Sequence, residues 1–166
     1  DPELQFKMTK YLIDGQKKIK KKDLRYFKMA SDGGQPESII HYAYILSKGE
    51  IVSVNKEESI KYCKMAIDKS DPRALNQYGI MLLTGDGIPI NKEESVKYFK
   101  MAIEKGDTNA MDNYASMLKN GDGIQSIIEE SLKYFKMAID NGNASAMNDY
   151  ACMLAKGDGV PINIEE

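Results

Sequence analysis

The chain has 166 residues and a formal net charge of −2, from 25 acidic and 23 basic side chains. This near-neutral balance argues against a general nucleic-acid-binding surface, which is usually strongly basic. The sequence contains no apolar run long enough to span a membrane. Its only two cysteines, Cys63 and Cys152, lie far apart. We expect them to be free, buried thiols in a reducing compartment, which predicts a cytoplasmic location.

A 36-residue period organises the chain. The tripeptide Lys-Met-Ala occurs at 28–30, 64–66, 100–102 and 136–138, and residues 55–90 and 91–126 are identical at 21 of 36 positions. A fixed period of this length is typical of a solenoid, in which each unit buries its apolar face against its neighbours. Solenoids present surfaces to partners and only rarely carry chemistry, so the period predicts the architecture better than the activity.

The period divides the chain into repeats. Residues 1–18 are a degenerate half-repeat or a segment left by cloning, 19–54 a divergent first repeat, 55–90, 91–126 and 127–162 repeats two to four, and 163–166 the start of a further repeat. Terminal units of a solenoid need a polar outer face. Because the chain stops just inside a new unit, we expect end-to-end association of the truncated array.

Each full repeat is predicted to contain two helices and no strand. In the second repeat, Asn55 with Glu58 forms a capping box that starts the first helix, which ends near Ser70. Asp71 caps the second helix, and Gly85 ends it. Later repeats place Gly106 and Gly142 at the position of Ser70. These signals predict helices at 56–69, 72–84, 92–105, 108–120, 128–141 and 144–156.

Residues that recur in phase at helical spacing are predicted to form the core. On the first helix of the second repeat they are Ser59, Cys63, Ala66 and Ile67, and on its second helix Ala74, Tyr78, Met81 and Leu82.

The complete pattern is Ala-Met/Leu-x-x-Tyr-Gly/Ala-x-Met-Leu-x-x-Gly-Asp-Gly-Ile, followed by Asn-x-Glu-Glu-Ser-x-Lys-Tyr-Phe-Lys-Met-Ala-Ile-x-x-Gly. Over residues 19–166 it resembles the Sel-one-like repeat (SLR) family, a relative of the tetratricopeptide repeat. Ala66, Ala74 and Gly79 occupy the small-residue positions of that family. The chain departs from the family pattern in having no Trp and in lacking the glycine loop in repeat 19–54.

The resemblance implies an all-α fold, a right-handed α/α superhelical solenoid of stacked helix-turn-helix repeats. It also implies that the second helices line a concave groove. Members of the family serve as adaptors and scaffolds, so we expect a protein or peptide partner. A structural spacer within a larger protein, or a regulatory subunit of an enzyme, is the alternative.

Comparison of the repeats separates recurring core positions from varying positions on the second helices. The varying residues that we expect to line the concave face are Tyr44, Arg73, Asn76, Ile80, Asn109, Asp112, Ser116, Lys119, Asn148 and Cys152. Asn76, Asp112 and Asn148 would form a ladder of short polar groups that could bind an extended peptide backbone, because an amide both donates and accepts hydrogen bonds. Ordinary solvated helix surface explains the same residues.

The sequence shows no converging catalytic groups, and we expect no enzyme activity, cofactor or metal site. The sole histidine, His41, falls at a variable polar position, which favours an ordinary surface or edge histidine. The basic run at 17–22 is compatible with a nuclear-import peptide or with a solvated start of the first helix.

Overall fold

The computed structural model describes residues 20–49, 51–123 and 125–157. In these ranges the chain forms eight α-helices and no strand. They are α1 (Leu24–Asp32, preceded by a 3-10 turn at Lys21–Asp23), α2 (Pro36–Lys48), α3 (Lys56–Asp68), α4 (Pro72–Thr84), α5 (Lys92–Glu104), α6 (Thr108–Asn120), α7 (Ile128–Asp140) and α8 (Ala144–Lys156). The six helices predicted from the sequence are confirmed, with ends that agree to within one residue.

The predicted segment 1–18 and the predicted repeat start at 163–166 lie outside the described residues, as do residues 17–19 of the basic run. Lys20, Lys21 and Lys22 are exposed at the entry to α1.

The first helix of a repeat begins at a capping box. The Asn55 side chain accepts the Glu58 N–H at 3.1 Å and donates to the Glu58 carboxylate at 3.0 Å, and Asn91 makes the same two bonds with Glu94. Helix α7 departs from this rule, because Ile127 stands at its N-cap and provides no side-chain hydrogen bond. Capping of α3 and α5 is therefore local chemistry that the sequence shows directly.

The second helix of a repeat follows at once, because a left-handed residue ends the first helix. Gly106 and Gly142 have φ of 82° and 83°, and Ser70 adopts φ of 60° at the equivalent place. The next residue or its neighbour then caps the new helix: Asp107 accepts the Ala110 N–H at 2.7 Å, and Asn143 accepts the Ala146 N–H at 3.0 Å. The predicted terminators and caps are confirmed.

The chain divides into two compact units, residues 1–78 and 79–166, with the boundary inside α4. In the first unit α2 packs against both α1 and α3. In the second unit α6 packs against α5 and α7, and α7 packs against α8. Each unit thus contains consecutive helices that pack on their neighbours in the chain, as expected of helix-turn-helix repeats.

A buried serine marks the contact between each second helix and the first helix that follows it. In the first unit the Ser59 hydroxyl donates to the Ala43 carbonyl at 2.8 Å. In the second unit Ser95 donates to the Gly79 carbonyl at 2.7 Å, and Ser131 donates to the Ala115 carbonyl at 2.8 Å. The small residue at the acceptor position allows this close approach between the helices.

The residues that recur in phase form the core. Ser59, Cys63, Ala66, Ala74, Tyr78, Met81 and Leu82 are all buried, whereas Ile67 is half-buried. The expectation for the cysteines is right for Cys63 and wrong for Cys152, which is exposed. Cys152 occupies the position held by Ser116 in the preceding repeat, on the outer side of a second helix, where no packing requires a buried side chain.

Candidate interaction surface

In the first unit, Tyr44 and Arg73 are the exposed members of the predicted surface. Tyr44 on α2 is 46% exposed, and Lys48 Nζ lies 5.6 Å from the centre of its ring. Arg73 on α4 is exposed and forms an ion pair with Asp71 at 2.9 Å. This unit therefore presents a large aromatic side chain flanked by a cation on its second helix, together with an arginine at the start of α4.

His41 lies on the same helix as Tyr44 and is half-buried. Burial is the main cause that lowers the pKa of its imidazole below 6.5, and the positive charge of Arg73 lowers it further, while Glu37 acts in the opposite direction. The expected surface or edge histidine is therefore an edge histidine that favours the neutral form.

In the second unit, α6 and α8 carry most of the predicted surface. Asn109, Asn148 and Cys152 are exposed, whereas Ile80 on α4 and Ser116 and Lys119 on α6 are half-buried. The Asn143 side chain donates to Asn109 Oδ1 at 3.1 Å and to the Thr108 carbonyl at 3.0 Å. The residue that caps α8 thereby also holds the start of α6 against it.

The polar ladder differs from its expected form, because two of its three members are buried. Asn76 and Asp112 are each 8% exposed, and only Asn148 is exposed. For Asp112 the physical reason is visible: α8 covers this position, and the Ser145 hydroxyl donates a hydrogen bond to the carboxylate. The second helices lie too close together for their facing side chains to line an open groove.

Asp112 has an unusual environment for a carboxylate. Its Oδ1 atom is buried without a hydrogen-bond partner. Burial is the main cause that raises the pKa of this carboxyl above its ordinary value of 3.8, the charge of Asp149 raises it further, and the Ser145 hydrogen bond opposes both. A buried acceptor without a donor is costly, and protonation of the carboxyl relieves part of that cost.

A lysine–tyrosine network on the first helices did not emerge from the sequence. In the first unit Lys28 Nζ donates to Glu58 Oε1 and to the Tyr62 hydroxyl, both at 3.0 Å, and the Tyr62 hydroxyl donates to Asp32 Oδ1 at 2.6 Å. The ring of Tyr62 meets that of Tyr42 edge to face at 4.9 Å. The network links α1, α2 and α3, so it stabilises their packing.

The second unit repeats the network. Lys100 forms a side-chain hydrogen bond with Tyr114, which is the main cause that raises the pKa of Lys100, and the rings of Tyr114 and Tyr134 meet edge to face at 4.9 Å. The signal was available in the sequence, because the lysine of each Lys-Met-Ala tripeptide is followed at fixed distances by the same two tyrosines.

The outer side of the first helices carries a second periodic feature. Lys61, Lys97 and Lys133 recur in phase and are exposed. Among the described residues no group of three or more His, Cys, Asp or Glu side chains could hold a metal ion. No helix in the described ranges is long and apolar enough to cross a membrane.

A family model described as Sel1 repeat matches residues 36–71, 72–107, 108–143 and 144–166. These matches open at the second helix of a unit, whereas the repeat boundaries that we proposed at 19, 55, 91 and 127 open before a first helix; both frames have a 36-residue period. No curated protein sequence matches the chain significantly.

Solved structures of SLR proteins are similar to this chain. A Sel1 repeat protein from Oxalobacter formigenes superposes with a TM-score of 0.83 at 25% identity, covering 98% of this chain and 67% of that one. A protective antigen of uropathogenic Escherichia coli strains, which displays an SLR fold, gives 0.79 at 23% identity, covering 98% of this chain and 35% of that one. Helicobacter pylori cysteine rich protein B gives 0.60 at 18% identity, covering 78% of this chain and 96% of that one.

These similarities, together with the eight described helices, confirm the predicted all-α solenoid of helix-turn-helix repeats. The Sel1 repeat is generally a non-catalytic protein-interaction fold. Since the family model matches the chain from residue 36 to residue 166, this protein belongs to the Sel1 repeat family.

Proposed function

We propose that this chain is a protein-interaction scaffold that binds a peptide or protein partner along the exposed side of its second helices. The observation that carries the proposal is the exposure of Tyr44, which leaves 46% of a large aromatic side chain in solvent on a well-packed helix. Tyrosine is enriched among the residues that dominate binding energy at protein interfaces, because it combines a large apolar area with a hydroxyl group.

The pattern of variation between repeats supports the same surface. Positions that face the core keep the same residue, as at Met81, Met117 and Met153. The position of Tyr44 carries a different residue in each later repeat, namely Ile80, Ser116 and Cys152. Packing does not explain this diversity, and a surface that contacts different parts of a partner does.

Exposed amides supply the polar part of the surface. Asn109 and Asn148 are exposed on α6 and α8 of the second unit, and each amide both donates and accepts. Such groups can bind the backbone of an extended segment. Asn76 and Asp112, which are buried, do not belong to the contact surface in this proposal and act in packing between helices.

The test is a selection of displayed peptides on the intact protein, followed by affinity measurements on the enriched sequences. The variant Tyr44→Ala, Asn109→Ala, Asn148→Ala alters only exposed residues. We expect it to keep the circular dichroism spectrum and thermal midpoint and to weaken the selected peptides at least tenfold, about 1.4 kcal/mol.

The matched control is Lys61→Ala, Lys97→Ala, Lys133→Ala, which truncates three exposed side chains on the first helices. It should bind the selected peptides like the native protein. If this control loses binding and the first variant does not, the outer side of the first helices is the functional surface. A selection that enriches no peptide would favour the alternative role as a structural spacer or as a regulatory subunit of an enzyme.

A further inference from the structure

Helix α8 exposes positions that the other second helices bury. Met147 is 55% exposed, whereas the equivalent residues Met111, Leu75 and Ile39 are 6%, 1% and 0% exposed. Ala151 is also exposed, although Ala115 and Ala43 at the same position are 0% and 1% exposed. The side of α8 that carries Met147 and Ala151, which we call the α8 face, is therefore uncovered interface.

The two buried counterparts show what covers such a face. In the first unit α3 places Ser59 on the Ala43 carbonyl. In the second unit α7 places Ser131 on the Ala115 carbonyl, and Phe135 packs in one cluster with Met111 and Ala115. The covering element is the same in both cases: an amphipathic helix with a serine and, four residues later, a side chain that fills the space beside the small residue.

We propose that the α8 face binds an amphipathic helix of the Sel1 first-helix type, carrying a serine and an aromatic residue four positions later. The small side chain of Ala151 permits the close approach that a serine-to-carbonyl hydrogen bond requires, and Met147 provides apolar surface where Met111 meets Phe135. The face is uncharged and continuous with the interfaces already formed inside the unit, so it selects shape and apolar pattern, and a charged or extended segment does not fit it.

The experiment uses the intact protein and a fluorescent peptide with the sequence of residues 127–141, acetylated and amidated at its ends. Binding is followed by fluorescence anisotropy. We expect saturable binding by the native peptide and at least tenfold weaker binding by a peptide with Ser131→Ala and Phe135→Ala, because these changes remove the hydrogen bond and the aromatic contact.

Two protein variants test the site. Ala151→Glu places a bulky charge on the α8 face and should weaken binding of the native peptide at least tenfold. Lys156→Glu introduces the same side chain at another exposed position of the same helix, which lies on a different side at 100° per residue, and should leave binding unchanged. Both positions are exposed, so both variants should keep the native thermal midpoint. Met147→Glu provides an independent second variant.

Equal binding of the two peptides, or unchanged binding by Ala151→Glu and Met147→Glu, would overturn the proposal, as would the absence of saturable binding at millimolar peptide. Sedimentation of the unlabelled protein separates a different occupant. A dimer that Ala151→Glu dissociates and that the peptide does not displace would assign the α8 face to a second copy of the chain and would also overturn the proposal.

Discussion

The ring of Phe99 packs directly on the bare Cα of Gly79. A β-carbon at residue 79 would lie 2.8 Å from Phe99 Cε1 and 2.9 Å from Phe99 Cδ1, closer than side chains approach each other. The Ser95 hydroxyl, one turn earlier on α5, donates to the Gly79 carbonyl at 2.7 Å. Glycine in the middle of α4 is therefore a packing requirement of the contact with α5.

Gly79→Ala is expected to destabilise the protein, against the usual trend. In a helix interior this change normally stabilises by about 1 kcal/mol. Overpacking against Phe99 costs about 1–3 kcal/mol and should exceed that gain. Urea denaturation measures the difference. In a Phe99→Leu background the cost of the alanine should shrink, and an alanine that stabilises the otherwise native chain would show that Phe99 moves aside freely.

Ser70→Gly is expected to stabilise the protein. Ser70 adopts φ of 60°, in the left-handed region that costs a non-glycine residue roughly 1–2 kcal/mol, and Gly106 and Gly142 hold the same place in later repeats. The greater freedom of glycine in the unfolded chain offsets about 0.5–1 kcal/mol of this gain. A rise in the thermal midpoint checks the prediction. Ser116→Gly, inside α6, is the control and should lower it.

Asp112→Asn is expected to stabilise the protein at neutral pH by roughly 1 kcal/mol, because it removes a buried charge while it keeps a hydrogen-bonding group. The in-phase residues Asn76 and Asn148 are already amides. Folding raises the pKa of Asp112 above 3.8, so the folded state favours the protonated carboxyl, and ionisation destabilises it as pH rises through the raised value.

The advantage of Asp112→Asn should therefore vanish below pH 3.8, where the carboxyl is protonated in both states, and grow with pH above it. Denaturation midpoints of both proteins across this range measure the trend. The exposed Asp140→Asn serves as the control and should show no such dependence. A stability difference that stays constant with pH would mean that the charge of Asp112 is not its cause.

The network around Tyr62 predicts a loss of stability at high pH. Burial, followed by the hydrogen bond to Asp32, raises the pKa of Tyr62 from 10.0 to about 12, and the hydrogen bonds to Tyr62 and Glu58 raise that of Lys28 as well. Both groups are more strongly protonated in the folded state. Their contribution to stability is complete below pH 10 and declines as pH rises towards 12.

Tyr62→Phe should lower stability at pH 8 and flatten its decline between pH 10 and 12. Urea midpoints at several pH values for both proteins give the comparison. Tyr26→Phe, a half-buried tyrosine of α1 outside the network, should leave the decline unchanged. If Tyr62→Phe declines as steeply as the native protein, other groups cause the alkaline loss.

The helices and the core could be read from the sequence because their determinants are local. Asn55 and Asp107 cap the helices that follow within three residues, and the glycines that end helices need no partner elsewhere in the chain. The 36-residue period then identified Ala110 and Met117 as core, since a residue that recurs in every unit meets the same neighbours in every unit. These features depend on chemistry within one repeat.

The exposure of the candidate surface could not be read in this way. Asn76, Asp112 and Asn148 occupy one position of the repeat, yet two are buried and one is exposed. Likewise Cys63 is buried and Cys152 is exposed, and Met147 remains uncovered where Met111 is buried. The sequence alone determined where the chain forms helices and which side of each is apolar. Only the tertiary structure decided which of those sides a neighbouring helix covers, because stacking distance and the presence of a covering helix are properties of contacts between repeats.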